Sequence, residues 1–278
     1  MKWNIVTDSS CDLFPAVLQD GTVEISSVPF VIRVGERDFI DDETLNTAEM
    51  VEVMEHCAHA SHTACPAPHG WLEQFEKADC CIAITISSNL SGSMNSAAMA
   101  KEMALERWPD KKIAVLDSYS TGPEIVLCVE KICSCIQAGM DFDEIISEAE
   151  KLLRDTRIVF ALSSFNNLVK NGRMSRVAGF LATKLHMWGI GIGSEIGTIA
   201  IKGKTRGAAK AVAMLLTDMQ ERGFHGGKVV ISHCHNHDLA EKLKEEIQKL
   251  WQNAAVSIMP TRGLCSYYAE RGGLIVSY

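Results

Sequence analysis

Short apolar runs, each closed by a polar turn, alternate with helix-period stretches through the first half of this chain. That alternation leaves few folds open. KWNIVTDSS (2–10), ADCCIAITISS (78–88) and KIAVLDS (112–118) have the length and continuous apolarity of strands buried on both faces. Helical spacing fills the intervals. From Thr47, apolar residues recur at 50, 51, 54, 57 and 58; LSGSMNSAAMAKEMALERW follows the second run; and Ile125, Val129, Ile132, Cys133 and Ile136 share a stripe. Asp141 and Glu144 stand at capping-box spacing before DEIISEAEKLLRD, whose Phe142, Ile145, Ile146, Ala149, Leu152 and Leu153 fall on one face. Strands separated by helices pair in parallel, because a parallel neighbour requires a crossover. The expectation is an α/β fold whose parallel sheet is covered on both faces, with ligands at the C-terminal strand ends.

After Thr156 the texture changes. RIVFALSS reads as a strand, and a glycine-rich stretch follows in which SEIGTIAI reads as a hairpin turning at Gly197. Then come a helix (GAAKAVAMLLTDMQERG), a strand (KVVIS), a helix from about His237 to Trp251, and a last strand pair, AAVSIMP and GGLIVSY. The chain therefore reads as two domains, a parallel-sheet α/β domain over 1–156 and an α+β domain over 157–278, with the cleft between them as the place for a ligand.

The 278 residues are enough for two ordinary cores, and 47% hydrophobic with 22% charged residues is a soluble globular composition. The net charge of −8 leaves no basic stripe to neutralise phosphates, so a nucleic-acid partner is not expected. No apolar run approaches the roughly 20 residues of a spanning helix. MKWNIVTDSS turns polar too soon for a signal-peptide core, which points to the cytoplasm. There the ten cysteines stay reduced and act as small hydrophobes.

Three features imitate active sites. Gly197–Thr205 ends in GKT, but five residues separate its glycines where a phosphate loop has four, and most are strand formers. SHCHNHD crowds His233, Cys234, His235 and His237 together, yet no second ligand pair at a metal spacing completes a set, and Asn236 or Asp238 suits a helix cap; no metal is expected. His56, His59, His62 and His69 also lack a metal spacing. Ser91, in NLSGS, is not in a nucleophile elbow.

Hydroxyls do cluster at strand ends: Thr7, Ser9 and Ser10; Ser87, Ser88, Ser91 and Ser93; Ser118 and Ser120. Adjacent strand ends can bring these loops into one polar floor, and the segment from Ser91 opens a helix whose free N–H groups attract an anion. A carboxylate fits such a site. The competing reading is that these serines merely cap helices.

VTDSSCDL, SHTACPAP, ISSNLSGSMNSA, VLDSYSTG and LVKNGRMSRVAG, in this order, resemble the successive motifs of the bacterial DegV family. The resemblance spans essentially the whole chain. It implies a protein that binds a long-chain fatty acid between two α/β domains, with no other cofactor. The acyl tail would lie in an apolar tunnel and the carboxylate would be presented to a separate fatty-acid kinase. By resemblance the carboxylate contacts fall on Thr63 and Ser91, with Ser88 in the same hydroxyl cluster. An arginine tied to delivery of the lipid to the kinase falls on Arg173, which with Lys170 and Arg176 makes a local cationic patch. The chain departs from the family pattern in three places. SHTACPAP keeps Thr63 and Pro66 but has Ala64 and Cys65 in its middle. TRGLC puts Thr261 or Arg262 where the family carries a histidine near the head group, and WGIGIGSEIG lacks the family's proline. The runner-up reading is a hydrolase or transferase that uses a serine of the 87–93 cluster on a lipid-like substrate, which would require a base within reach.

Overall fold

The structure is a computed structural model that describes residues 1–18, 21–57, 59, 61–174 and 187–278. The first half runs β1 (Trp3–Asp8), β2 (Ala16–Val17), β3 (Val23–Val28), β4 (Val31–Val34), β5 (Arg37–Ile40), α1 (Thr47–His56), β6 (Ser61–Ala64) and α2 (Pro68–Glu76). It continues through β7 (Cys80–Thr85), α3 (Ser93–Arg107), β8 (Lys112–Asp117), α4 (Pro123–Gln137) and α5 (Phe142–Asp155). Strands β3, β1, β7 and β8 form the expected parallel sheet, and β2 adds an antiparallel edge. Every residue of β7 is buried, because helices cover both faces. Ile5, Ile82 and Ile84 face α4 and α5, while Val6, Cys81 and Ala83 face Trp71 and Phe75 of α2 and the alanines of α3. The capping box that starts α5 is present: Asp141 Oδ1 accepts from the Glu144 N–H at 2.9 Å and Glu144 Oε2 from the Asp141 N–H at 3.1 Å.

The second half contributes β9 (Ile158–Leu162), α6 (Asn166–Lys170), β10 (Met187–Gly193), β11 (Ile199–Arg206), α7 (Ala208–Glu221) and β12 (Gly227–His233). It ends with α8 (His237–Leu250), β13 (Ala254–Pro260), α9 (Gly263–Ala269) and β14 (Leu274–Ser277). Its sheet has the order β11-β10-β9-β14-β12-β13, and all its pairings are antiparallel except β12 with β13. The last two runs are therefore strands but not partners. β14 lies between β9 and β12, while β13 takes the edge, because α9 carries the chain back across the sheet. The hairpin forms as read, with Gly197 at positive φ in its turn. Lys204 and Thr205 of the phosphate-loop lookalike are residues of β11. Asn236 stands at the N-cap of α8, but its side-chain amide donates to Gly272 O instead of capping.

Strands β4, β5 and β6 form a third, small sheet, ordered β5-β4-β6. Although it comes from the first half of the sequence, its Ile32, Val34 and Phe39, with Met50 and Val51 of α1, share a core with Phe160, Phe165, Tyr267 and Ile275 of the second half. One face of the mixed sheet is closed by α7 and α8. The other faces back toward the first half, and the site lies there.

Candidate functional site

The C-terminal ends of β1, β7 and β8 converge as the topology requires, but much of the hydroxyl floor is already committed. Asp8 sits fully buried at its centre and accepts from Ser10 N–H and Oγ, Ser93 Oγ at 2.5 Å, and the Ile86 N–H at 3.0 Å. Burial holds its carboxyl above the usual range, against the pull of these donors. Ser87 donates to Gly197 O at 2.7 Å and so ties the floor to the hairpin tip. Ser120 donates to Glu124, and Ser118 to Ser120 O. The expected open anion floor is thus corrected at these serines. A carboxylate already occupies its middle, and Ser10, Ser93 and Ser120 donate to protein carboxylates.

Above this floor lies a cavity between the parallel sheet, the mixed sheet and α9. Its walls are apolar: Phe30 and Ile86 on one side, Ile158, Phe160, Leu162 and Ile275 from the mixed sheet on another, and Leu264 from α9. Alternation explains the mixed-sheet wall. In β9 the residues 158, 160 and 162 face the cavity, while Val159 and Ala161 join the core under α7 and α8. The hairpin adds Thr198 and Ile199.

One corner of the cavity is polar. Thr63 at the end of β6 and Tyr268 of α9 hydrogen-bond through their hydroxyls at 3.0 Å. Arg173 follows α6; it donates from Nε to Leu90 O at 3.1 Å and from Nη1 to Asn171 O at 2.5 Å. It lies close enough to Tyr268 to pull that phenol's pKa down, though burial raises it more. Ser91 is next to Leu90 in the loop before α3, and its Oγ accepts from the Ser93 N–H at 3.3 Å. Thr63, Ser91, Arg173 and Tyr268 all line the cavity. They place three hydroxyls and one guanidinium, donors for an anion, at the polar end of an apolar volume.

The remaining sequence candidates lie elsewhere. Ser88 is exposed, and its N–H donates to the Asp117 carboxylate. Thr261 is buried against His233 O and Ser266. Arg262, 1% exposed, is enclosed: its N–H donates to Asp12 Oδ1, Nη1 to Leu13 O and Ser27 Oγ, and Nη2 to Asp41 O. Asp41 in turn accepts from the N–H groups of Gly263 and Leu264 at 2.8 and 2.7 Å, which anchors the start of α9. None of these three lines the cavity. Arg176 lies outside the described residues, so the three-cation patch is seen only at Lys170 and Arg173. His233 is buried and accepts from the Asn236 N–H through Nδ1; among the described residues no group of three metal-ligating side chains converges. Tyr268 was not foreseen. It has no motif of its own, and only its place on a short helix after TRG brings it to the corner.

Two sheets enclosing an apolar cavity with a hydroxyl-and-guanidinium corner define an α/β protein built to surround an amphipathic molecule. The chain belongs to the DegV family: it matches the family model described as "Uncharacterised protein, DegV family" over residues 2–278. A DegV domain-containing protein of Streptococcus pneumoniae is 38% identical over 278 residues, covering 100% of this chain and 99% of the relative. Among solved structures, the Streptococcus pneumoniae fatty acid kinase B3 protein loaded with linoleic acid superposes with a TM-score of 0.94 at 38% identity, over 100% of this chain and 99% of that one. A DegV family protein from Eubacterium eligens loaded with heptadecanoic acid gives 0.93 at 36% identity, over 99% and 98%. No helix among the described residues is long and apolar enough to cross a membrane.

Proposed function

We propose that this chain is a fatty-acid carrier, which holds a long acyl tail in the apolar cavity and its carboxylate against the hydroxyls of Thr63 and Ser91, with Arg173 beside them for the transfer step. The observation that carries this reading is the polarity of the cavity, apolar along its length and provided with anion donors at one end. Two relatives above 35% identity hold linoleic and heptadecanoic acid. The energetics are adequate. At ~0.8 kcal/mol per buried CH₂, a tail of about fifteen methylenes gains roughly 12 kcal/mol before the cost of immobilisation.

The carboxyl chemistry is assigned to a partner. A separate kinase phosphorylates the carboxylate that the carrier presents, and Arg173 serves that transfer. The described lining contains no histidine or carboxylate to activate Ser91, which argues against the serine-enzyme reading. We place the protein in the cytoplasm, where such a kinase has its nucleotide, and divide it at 156/157 into two domains that share the ligand. Displacement of a fluorescent fatty acid tests the reading. Micromolar or tighter competition by C16–C18 acids is expected, with short-chain acids weaker by about fourfold per methylene removed. Equal competition by a short-chain acid would overturn it.

A further inference from the structure

Gly189, Gly191 and Gly193 occupy alternate positions of β10, with Gly189 and Gly191 paired to Leu162 and Phe160 of β9, so the three lie on the cavity side while Ile190 and Ile192 join the opposite core. None of the three has a positive φ, so the backbone does not require glycine there. A glycine inside a strand gives up packing and marks a close approach by something else. Here the approaching groups are the cavity's own wall side chains. A methyl built at Gly191 would lie 2.3 Å from both Cε2 and Cζ of Phe160, the residue paired with it, with Ala200 O at 3.2 Å on its other side. One built at Gly193 would lie 2.5 Å from Cγ2 of Ile158. Phe160 and Ile158 both line the cavity. The glycine strip is therefore a recess that takes wall side chains out of the lumen.

We propose that Gly191 sets which acyl chains the cavity admits: by receiving the ring of Phe160 it gives a kinked, cis-unsaturated chain lateral room at mid-sheet. A straight saturated chain needs a uniform bore and gains little from a local widening; a cis double bond displaces the chain sideways and needs one. The inference rests on the carrier reading and deepens it. With any side chain at position 191 the ring has to swing, and the free direction is into the lumen. This substitution acts on selectivity through Phe160, since Gly191 lies beneath the ring.

The test compares affinities for octadecanoic acid and cis-9-octadecenoic acid by displacement of a fluorescent fatty acid. The proteins are wild type, Gly191→Ala, the double variant Gly191→Ala/Phe160→Leu, and Phe160→Trp. Gly191→Ala is expected to lose roughly tenfold more affinity for the kinked acid than for the straight one, at the low end of one methylene's effect in a tight pocket. The double variant, with the ring removed, should return to within about twofold of the wild-type ratio. Phe160→Trp, which narrows the bore without touching β10, should shift the ratio in the same direction as Gly191→Ala and carries the test if that variant does not fold. Parallel losses for both acids, or an unchanged ratio in Gly191→Ala and Phe160→Trp, would overturn the proposal. A wild-type protein that binds neither acid would instead overturn the carrier reading.

Discussion

Thr63 Oγ1 and Tyr268 Oη lie 3.0 Å apart, although 205 residues separate them in the chain. The contact joins the small sheet, which the sequence places in the first half, to α9 near the C-terminus. It closes one side of the corner where Ser91 and Arg173 also emerge. The proposed carboxylate site therefore depends on both halves being docked.

Ser91→Ala should weaken fatty-acid binding by about 1–3 kcal/mol, the range for a hydrogen bond to a charged group. The melting temperature of the unliganded protein should barely move, because the Ser91 hydroxyl makes a single long bond to the Ser93 N–H. Tyr268→Phe, which removes the hydroxyl bonded to Thr63, should cost less, about 1 kcal/mol. Fluorescent displacement and thermal melts read both, and unchanged affinity in Ser91→Ala would remove that residue from the site.

Arg262 gives the opposite pattern. Its guanidinium is buried among Leu13 O, Ser27 and Asp41 O, so Arg262→Ala leaves Asp41 and its own acceptors without a cation. A stability loss of about 3–5 kcal/mol is expected in chemical denaturation. The fatty-acid Kd of the folded fraction should stay within about threefold, since the residue does not line the cavity. A large affinity loss with little loss of stability would show that it contacts the head group, as its place in the family motif implies.

Asp12 makes stability depend on pH. Burial lifts its carboxyl from 3.8 to about 6, outweighing the hydrogen bond from the Arg262 N–H. The folded pKa lies above the unfolded one, so the stability this group contributes is complete below about pH 4 and is lost as pH rises through 6. About 3 kcal/mol is at stake. Asp12→Asn cannot ionise. Its stability relative to wild type should therefore improve from about pH 4 to about pH 6 and level off above that in urea titrations; a constant difference would show that the group titrates normally.

Arg173→Ala should separate binding from transfer. The Kd should change by no more than about threefold, while acyl-phosphate formation by a cognate kinase falls about tenfold, a barrier change of roughly 1.4 kcal/mol. A coupled assay with matched lipid loading measures this. Equal rates would mean that the bonds from Arg173 to Leu90 O and Asn171 O are its whole role.

The parallel sheet was legible because its strands are continuous apolar runs, and α5 because its capping box and apolar face agree. The hairpin at Gly197 followed from a glycine between two strand-forming stretches. The small sheet was not legible: VIRV, RDFI and SHTA are four residues each, and although VIRV and RDFI pair as a local hairpin, SHTA joins them only through pairs as distant in sequence as Val31 with Ala64. α9 is hidden for a similar reason, since seven residues carry too little periodicity to announce a helix. Thr63, Ser91 and Arg173 were named from motifs, whereas Tyr268 and Phe160 enter the site through tertiary placement. Hydroxyl clustering alone misled about the floor, because sequence does not reveal that Asp8 would take Ser10 and Ser93 as its own donors.

Native mass spectrometry of the protein purified from bacteria tests the carrier account most directly. The account predicts a noncovalent adduct with the mass of one C16–C18 fatty acid per chain, released on denaturation, because a ligand buried with a surplus of this size survives purification. A spectrum of the unliganded mass alone from protein that also fails to take up added fatty acid would contradict it, as would a covalent acyl adduct on Ser91.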